Sequence, residues 1–153
     1  MVSDGHAEPA ASQRLRGVRQ SLLRLHKALL ESERETYEQA HGRIETNYQF
    51  LDLLMHDPWF DWLHRLSELV VQIDEMLDAD EPPGEGDLDG IIDQTRVLLS
   101  PAEKGSEFQR KYFNALQRSP DVVVTHAEVV KHLGKRPADT NAQGNGSRST
   151  RNR

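Results

Sequence analysis

The sequence predicts an all-α domain, a bundle of five or six helices with a long N-terminal helix. Three observations carry that expectation. Apolar residues recur at steps of three and four through most of the chain, the spacing of one helical face. Capping residues stand ahead of each such run, several followed by proline or by an acid or amide three positions on. No alternating pattern of the kind a half-buried strand needs survives beyond three or four positions.

Ser12 is placed to cap the first helix, whose apolar stripe runs Leu15, Val18, Leu22, Leu25 and Leu29. The stripe lapses across residues 31 to 36 (ESERET) and resumes out of phase at Tyr37, which predicts a helix with a solvated middle. Gly42 suits its C-terminal end. Thr46 and Gln49 form a capping box ahead of a short apolar helix carrying Phe50, Leu51, Leu53, Leu54 and Met55. Asp57-Pro58 closes that helix and opens the next, because aspartate caps well and proline suits the first helical position.

From Pro58 to Asp78 the pattern is strongest, with Trp59, Trp62, Leu63, Leu66, Leu69, Val70, Ile73, Met76 and Leu77. This helix is expected to form the centre of the core, since large aromatics dominate burial. Residues 79 to 87 (ADEPPGEGD) read as an acidic linker. Asp87 is positioned to cap a helix carrying Leu88, Ile91, Ile92, Thr95 and Leu98. Ser100, Pro101 and Glu103 signal a further start, leading to Phe108, Tyr112, Phe113 and Leu116. Ser119-Pro120 begins the last segment, in which Val122 to Val124 are β-branched and suit an extended stretch. Thr125 with Glu128 offers another capping box, for a short helix that carries Val129, Val130 and Leu133 and ends before Gly134. The expected organisation is a flexible leader over 1–11, a helical domain over 12–135 with the linker inside it, and a disordered basic tail over 136–153.

Composition narrows the function. The chain has 153 residues, 36% hydrophobic, and a mean hydropathy of −0.72. It has no cysteine, which removes disulfides and thiolate chemistry. No apolar run is long enough for a bilayer and the N-terminus lacks the apolar centre of a signal peptide, so no membrane contact and a cytoplasmic address are expected. No phosphate-binding glycine loop, nucleophile elbow or H-E-x-x-H motif occurs. Charge is uneven: Arg14, Arg16, Arg19, Arg24 and Lys27 form a basic start, while residues 52 to 93 hold thirteen acids against the single base Arg65. Such surfaces are expected to face each other, within the fold or across a dimer. The acidic middle makes a nucleic-acid partner an unfavourable reading despite the basic start and Arg148, Arg151 and Arg153 in the tail.

Two constellations are candidates for function. Glu38 with His41, and Asp61 with His64, each put a carboxylate and an imidazole three residues apart, the spacing by which di-iron or other divalent-metal bundles hold their ions. Glu31, Glu35, Glu68, Glu103 and Glu107 are the acids available to complete such a site. The second constellation is a contact surface. The stripe of Leu15, Val18, Leu22, Leu25 and Leu29 keeps a heptad rhythm on a helix of about 45 Å, longer than a bundle of this size is wide, and so is expected to seat a partner helix. Trp59, Phe60 and Trp62 cannot all face one core, which leaves Trp59 as a further partner contact.

The stretches FLDLLMHDPWFDWLHRLSELVVQIDEMLD and SPAEKGSEFQRKYFNALQRSPDVVV resemble a group of small bacterial all-helical proteins with no assigned function. The resemblance covers residues 15 to 133 and implies a helical fold; it implies no activity or ligand. The sequence thus leads to a non-catalytic homodimer acting through protein–protein contacts without a cofactor, with a di-metal carboxylate and histidine bundle as the alternative.

Overall fold

The first helix, α1 (Ala10–His41), starts two residues ahead of Ser12. Pro9 supplies the N-cap without a side-chain bond, and its carbonyl accepts from the Gln13 amide at 3.1 Å. Ala11 and Ser12 are both buried, so packing of this first turn outweighs the capping preference of serine. These assignments come from a computed structural model that describes residues 8–134. The tail expected over 136–153 and most of the leader lie outside the described residues. Gly42 ends α1 as expected, with a φ of 97° that side chains rarely adopt.

Five further helices follow: α2 (Asn47–His56), α3 (His64–Asp78), α4 (Glu85–Leu98), α5 (Glu107–Arg118) and α6 (Pro120–Leu133). No strand occurs among the described residues, and no helix there is long and apolar enough to cross a membrane. The Thr46 hydroxyl accepts from the Gln49 amide at 3.0 Å, as its cap spacing predicts. Gln49 reaches back to the Glu45 amide, one residue beyond the cap itself.

Four further expected helix starts move, the last helix beginning at Pro120 under a Ser119 cap instead of at Thr125. Asp57 does cap, accepting from the Trp59 amide at 2.9 Å, but residues Pro58–Leu63 wind as a 3-10 turn before α3 begins. The tighter winding brings Phe60 and Leu63 onto one side together with Trp62, and all three are buried. Asp87 sits in the third position of α4 and accepts from the Gly84 amide at 2.9 Å, so it closes the cap from inside the helix. Residues 100 to 106 are a loop. The real start is the Ser106–Gln109 capping box, which leaves Gly105 outside the first turn. Ser100 instead bonds back to the Arg96 carbonyl at 2.6 Å.

The core is centred on α1 rather than on the tryptophan-rich segment. Leu15, Val18, Leu22, Leu25 and Leu29 are all 0% exposed within a single chain. Their cover comes from α6 above all, then α3, with α4, α5 and the 3-10 turn completing it. Each such leucine contributes about 1.5–3 kcal/mol. The contacts set the directions. Arg14 donates to the carbonyls of His132 and Leu133, while Arg24 approaches Glu128, so α6 runs antiparallel to α1. Arg19 pairs with Asp74 and His26 meets Ser67, so α3 is antiparallel to α1 as well. The Arg19–Asp74 pair joins the basic start to the acidic middle inside one chain. Leu66 and Ile73 of α3 are fully buried against this centre.

Candidate functional site

The expected metal ligands do not converge. Glu38 accepts from the Ile44 amide at 2.8 Å and lies 3.6 Å from Arg34, so its carboxylate holds the turn after α1. His41 is exposed and stacks on Tyr37 with ring centroids 4.5 Å apart. Asp61 is exposed in the 3-10 turn. His64 donates from Nε2 to the Leu54 carbonyl at 3.3 Å, which fixes the proton on that nitrogen. Among the described residues no group of three or more histidines and carboxylates could hold an ion. Among the described residues these four side chains are thus not gathered into one ion site, and Glu38 and His64 are engaged locally, with the Ile44 amide and Arg34 and with the Leu54 carbonyl.

The proposed contact stripe is also corrected. Leu15, Val18, Leu22, Leu25 and Leu29 have no surface left for a partner, because α6 and α3 already cover them. Trp59 is half-buried, unlike its neighbours Phe60 and Trp62. Its ring meets Tyr37 and His41 edge-on, at centroid distances of 5.6 and 5.3 Å. Phe60 and Phe50 extend this cluster, and the Arg34 guanidinium lies 4.9 Å over Phe50.

The stretch read as solvated holds the most buried charge of α1. Glu33 is 7% exposed. One of its oxygens accepts from Trp62 Nε1 at 3.3 Å and the other from Arg118 Nη2, while Arg118 Nε donates to Ser32 Oγ at 3.0 Å. The network ties α1, the 3-10 turn and α5 together. Both carboxylate oxygens are committed, so Glu33 is a brace rather than an acid or base.

Two imidazoles sit at helix seams. His26 Nε2 lies 3.0 Å from Ser67 Oγ, and burial, with the His64 imidazole adding to it, holds His26 below the ordinary histidine range. This is a serine–histidine pair, but no carboxylate among the described residues orients the ring, so the third member of a nucleophilic set is missing. Tyr112 Oη and His126 Nδ1 are 2.6 Å apart, with the phenol fully buried. Neither pair has a local sequence signature.

What the surface does offer is α2. None of its residues is buried. Phe50, Leu53 and Leu54 lean on the core, whereas Tyr48, Leu51 and Met55 face outward at 85, 56 and 63% exposure. Their spacing of three and four residues lines them along one outer stripe. Asp52 and His56 flank it and bond to each other at 3.2 Å. Comparison with protein-family models, with curated proteins and with solved structures finds no match for this chain.

Proposed function

We propose that this chain is a non-catalytic helical protein that acts through protein–protein contact, and that a second copy of the chain covers the outer face of α2. The observation that carries the reading is the outward stripe of Tyr48, Leu51 and Met55 on a helix with no buried residue. Aromatic side chains and methionine are enriched at interface centres and charges are depleted there. The stripe is self-complementary: in an antiparallel pair centred near Leu51, each Tyr48 meets the other copy's Met55, a favourable sulfur–aromatic contact. The charges at its edge, Asp52 and His56, are paired locally and do not repel a second copy strongly.

Area sets the strength. Three such side chains offer roughly 400 Å² per protomer, about half of a standard interface, so the dimer exchanges readily, with a dissociation constant on the order of 100 μM. Sedimentation equilibrium between 10 μM and 1 mM tests it. The average mass should climb from 17.4 kDa towards twice that value, and Leu51→Glu should hold it at the monomer. A monomer at 1 mM, or a dimer indifferent to Leu51→Glu, overturns the proposal.

A further inference from the structure

The seam between α1 and α6 opens into a groove of about 320 Å³. Its charged residues are Arg24, Lys27, Glu31 and Asp121, all exposed, and its apolar floor is Ala28 with Val124. Ala28 is buried, whereas Val124 is 57% exposed, so the floor is open to water.

The charges are ordered along the groove. Arg24, Lys27, Ala28 and Glu31 are spaced three and four residues apart and share one face of α1. Arg24 approaches Glu128 of α6 at 3.9 Å, and Arg118, just ahead of α6, bonds to Ser32 and Glu33. The start of α6 therefore lies beside Glu31, and Asp121 is in that first turn. Two cations stand at one end and two carboxylates at the other, with Ala28 and Val124 between them. Among the described residues Lys27, Glu31 and the Asp121 carboxylate hold no hydrogen bond or ion pair, and Arg24 has its long contact to Glu128.

A net ion gains little here. A carboxylate drawn to the cations meets the acids further along, and an ammonium meets the reverse. A zwitterion whose charges stand apart satisfies both ends. Helical rise puts Lys27 about 6 Å and Arg24 about 10 Å from Glu31 along the axis, an interval that about five methylenes span. We infer that this groove binds a small ω-amino acid, its carboxylate received by Lys27 and Arg24, its ammonium by Glu31 and Asp121, and its methylenes by Ala28 and Val124. The volume lies at the lower end of the usual range of about 300–1,000 Å³, which suits a molecule of roughly nine heavy atoms. Exposed charges are screened by water, so the dissociation constant is on the order of 10 mM.

Proton–carbon methyl spectra test this with 6-aminohexanoate as the probe. The Val124 methyls, identified by their loss in Val124→Thr, should shift along a saturable curve half complete at about 10 mM. The exposed Val71 on α3 and Val97 on α4 should stay in place. Norleucine has the same atoms with both charges on one carbon, hexanoate lacks the ammonium, and hexylamine lacks the carboxylate. Each should need at least about five times the concentration. Lys27→Gln should weaken 6-aminohexanoate about fivefold. Glu31→Gln with Asp121→Asn should weaken it about tenfold and make hexanoate the tighter of the two, because the acids that repel hexanoate are gone. These positions are exposed, so the circular dichroism of the fold should be retained. If the double variant does not fold, Glu31→Gln alone should weaken 6-aminohexanoate about threefold. Equal binding of norleucine, no saturable Val124 shift up to about 100 mM, or an unchanged affinity in Lys27→Gln overturns the inference. So do Val124 methyls that move with protein concentration alone, the mark of a second copy seated in the groove.

Discussion

Arg118→Met isolates the charge network between α1 and α5. In the folded chain the Glu33 side chain is about a tenth exposed and Arg118 about a third. Removing the guanidinium leaves the carboxylate with Trp62 Nε1 as its remaining side-chain donor and strips Ser32 Oγ of its bond. Losing one partner of a fully buried pair costs about 3–5 kcal/mol, and because water reaches Arg118 the expected loss here is about 2–3 kcal/mol. For a domain of this size that corresponds to a fall in Tm of roughly 8–12 °C. Urea unfolding at pH 7, followed by tryptophan fluorescence, measures it. Glu33→Met alone should cost about 1 kcal/mol, since Arg118 then swings into solvent and Trp62 loses an acceptor. The double variant should lie within about 1–2 kcal/mol of the parent, because apolar side chains of similar volume replace the pair. The reasoning is refuted if Arg118→Met costs less than about 0.5 kcal/mol, or if the double variant loses as much as the two singles added together.

Other perturbations follow from the same packing. Leu22→Ala, at a fully buried position facing α6 and α3, should cost about 3–5 kcal/mol in chemical denaturation, and an unchanged midpoint would mean α1 is not the core. His26 and His126 are both held below the usual value of 6.5, so the unfolded chain takes up protons first as pH falls. Their contribution is therefore complete above pH 6.5 and is lost as pH drops through the folded-state values; His26→Gln and His126→Gln together should flatten the Tm slope between pH 7 and 5, and an unaltered slope would refute this. Ser106→Ala removes the cap that starts α5 and should cost about 1 kcal/mol, whereas Glu103→Ala in the preceding loop should cost almost nothing.

The parts of this fold that announce themselves in the sequence are those in which neighbours along the chain decide. The leucine stripe of α1, the Thr46 cap, the glycine stop at Gly42 and the Ser119-Pro120 start each depend on residues a few positions apart. What escapes is whatever long-range packing decides. An apolar-periodicity reading skips Ser32 and Glu33, yet Trp62 and Arg118, 29 and 85 residues from Glu33, bring them inside. The start read at Ser100 fails because a helix beginning there would carry Gly105 in its first turns, whereas the Ser106–Gln109 box begins just beyond that glycine, and the Ser100 hydroxyl bonds back to the Arg96 carbonyl instead. The metal spacing has the same limit: spacing along one helix puts an acid beside a histidine, but only the fold can bring two such pairs together, and among the described residues it gathers no such group. The α2 face was legible as apolar residues, though not as outward-facing, because Leu51 and Leu53 look alike until the core takes one of them.

The helix on which α3, α4, α5 and α6 lean is also made before them. As the chain leaves the ribosome, residues 10–41 emerge with their leucine face bare, and α6, the main cover for that face, begins 79 residues after α1 ends. At about 5–20 residues per second the wait is roughly 4–16 s, far longer than a helix needs to form and ample time for bare leucines to meet another chain. The nascent chain is thus sticky until its last helix arrives, so premature termination anywhere before Pro120 should yield aggregates or chaperone-bound fragments instead of smaller folded domains.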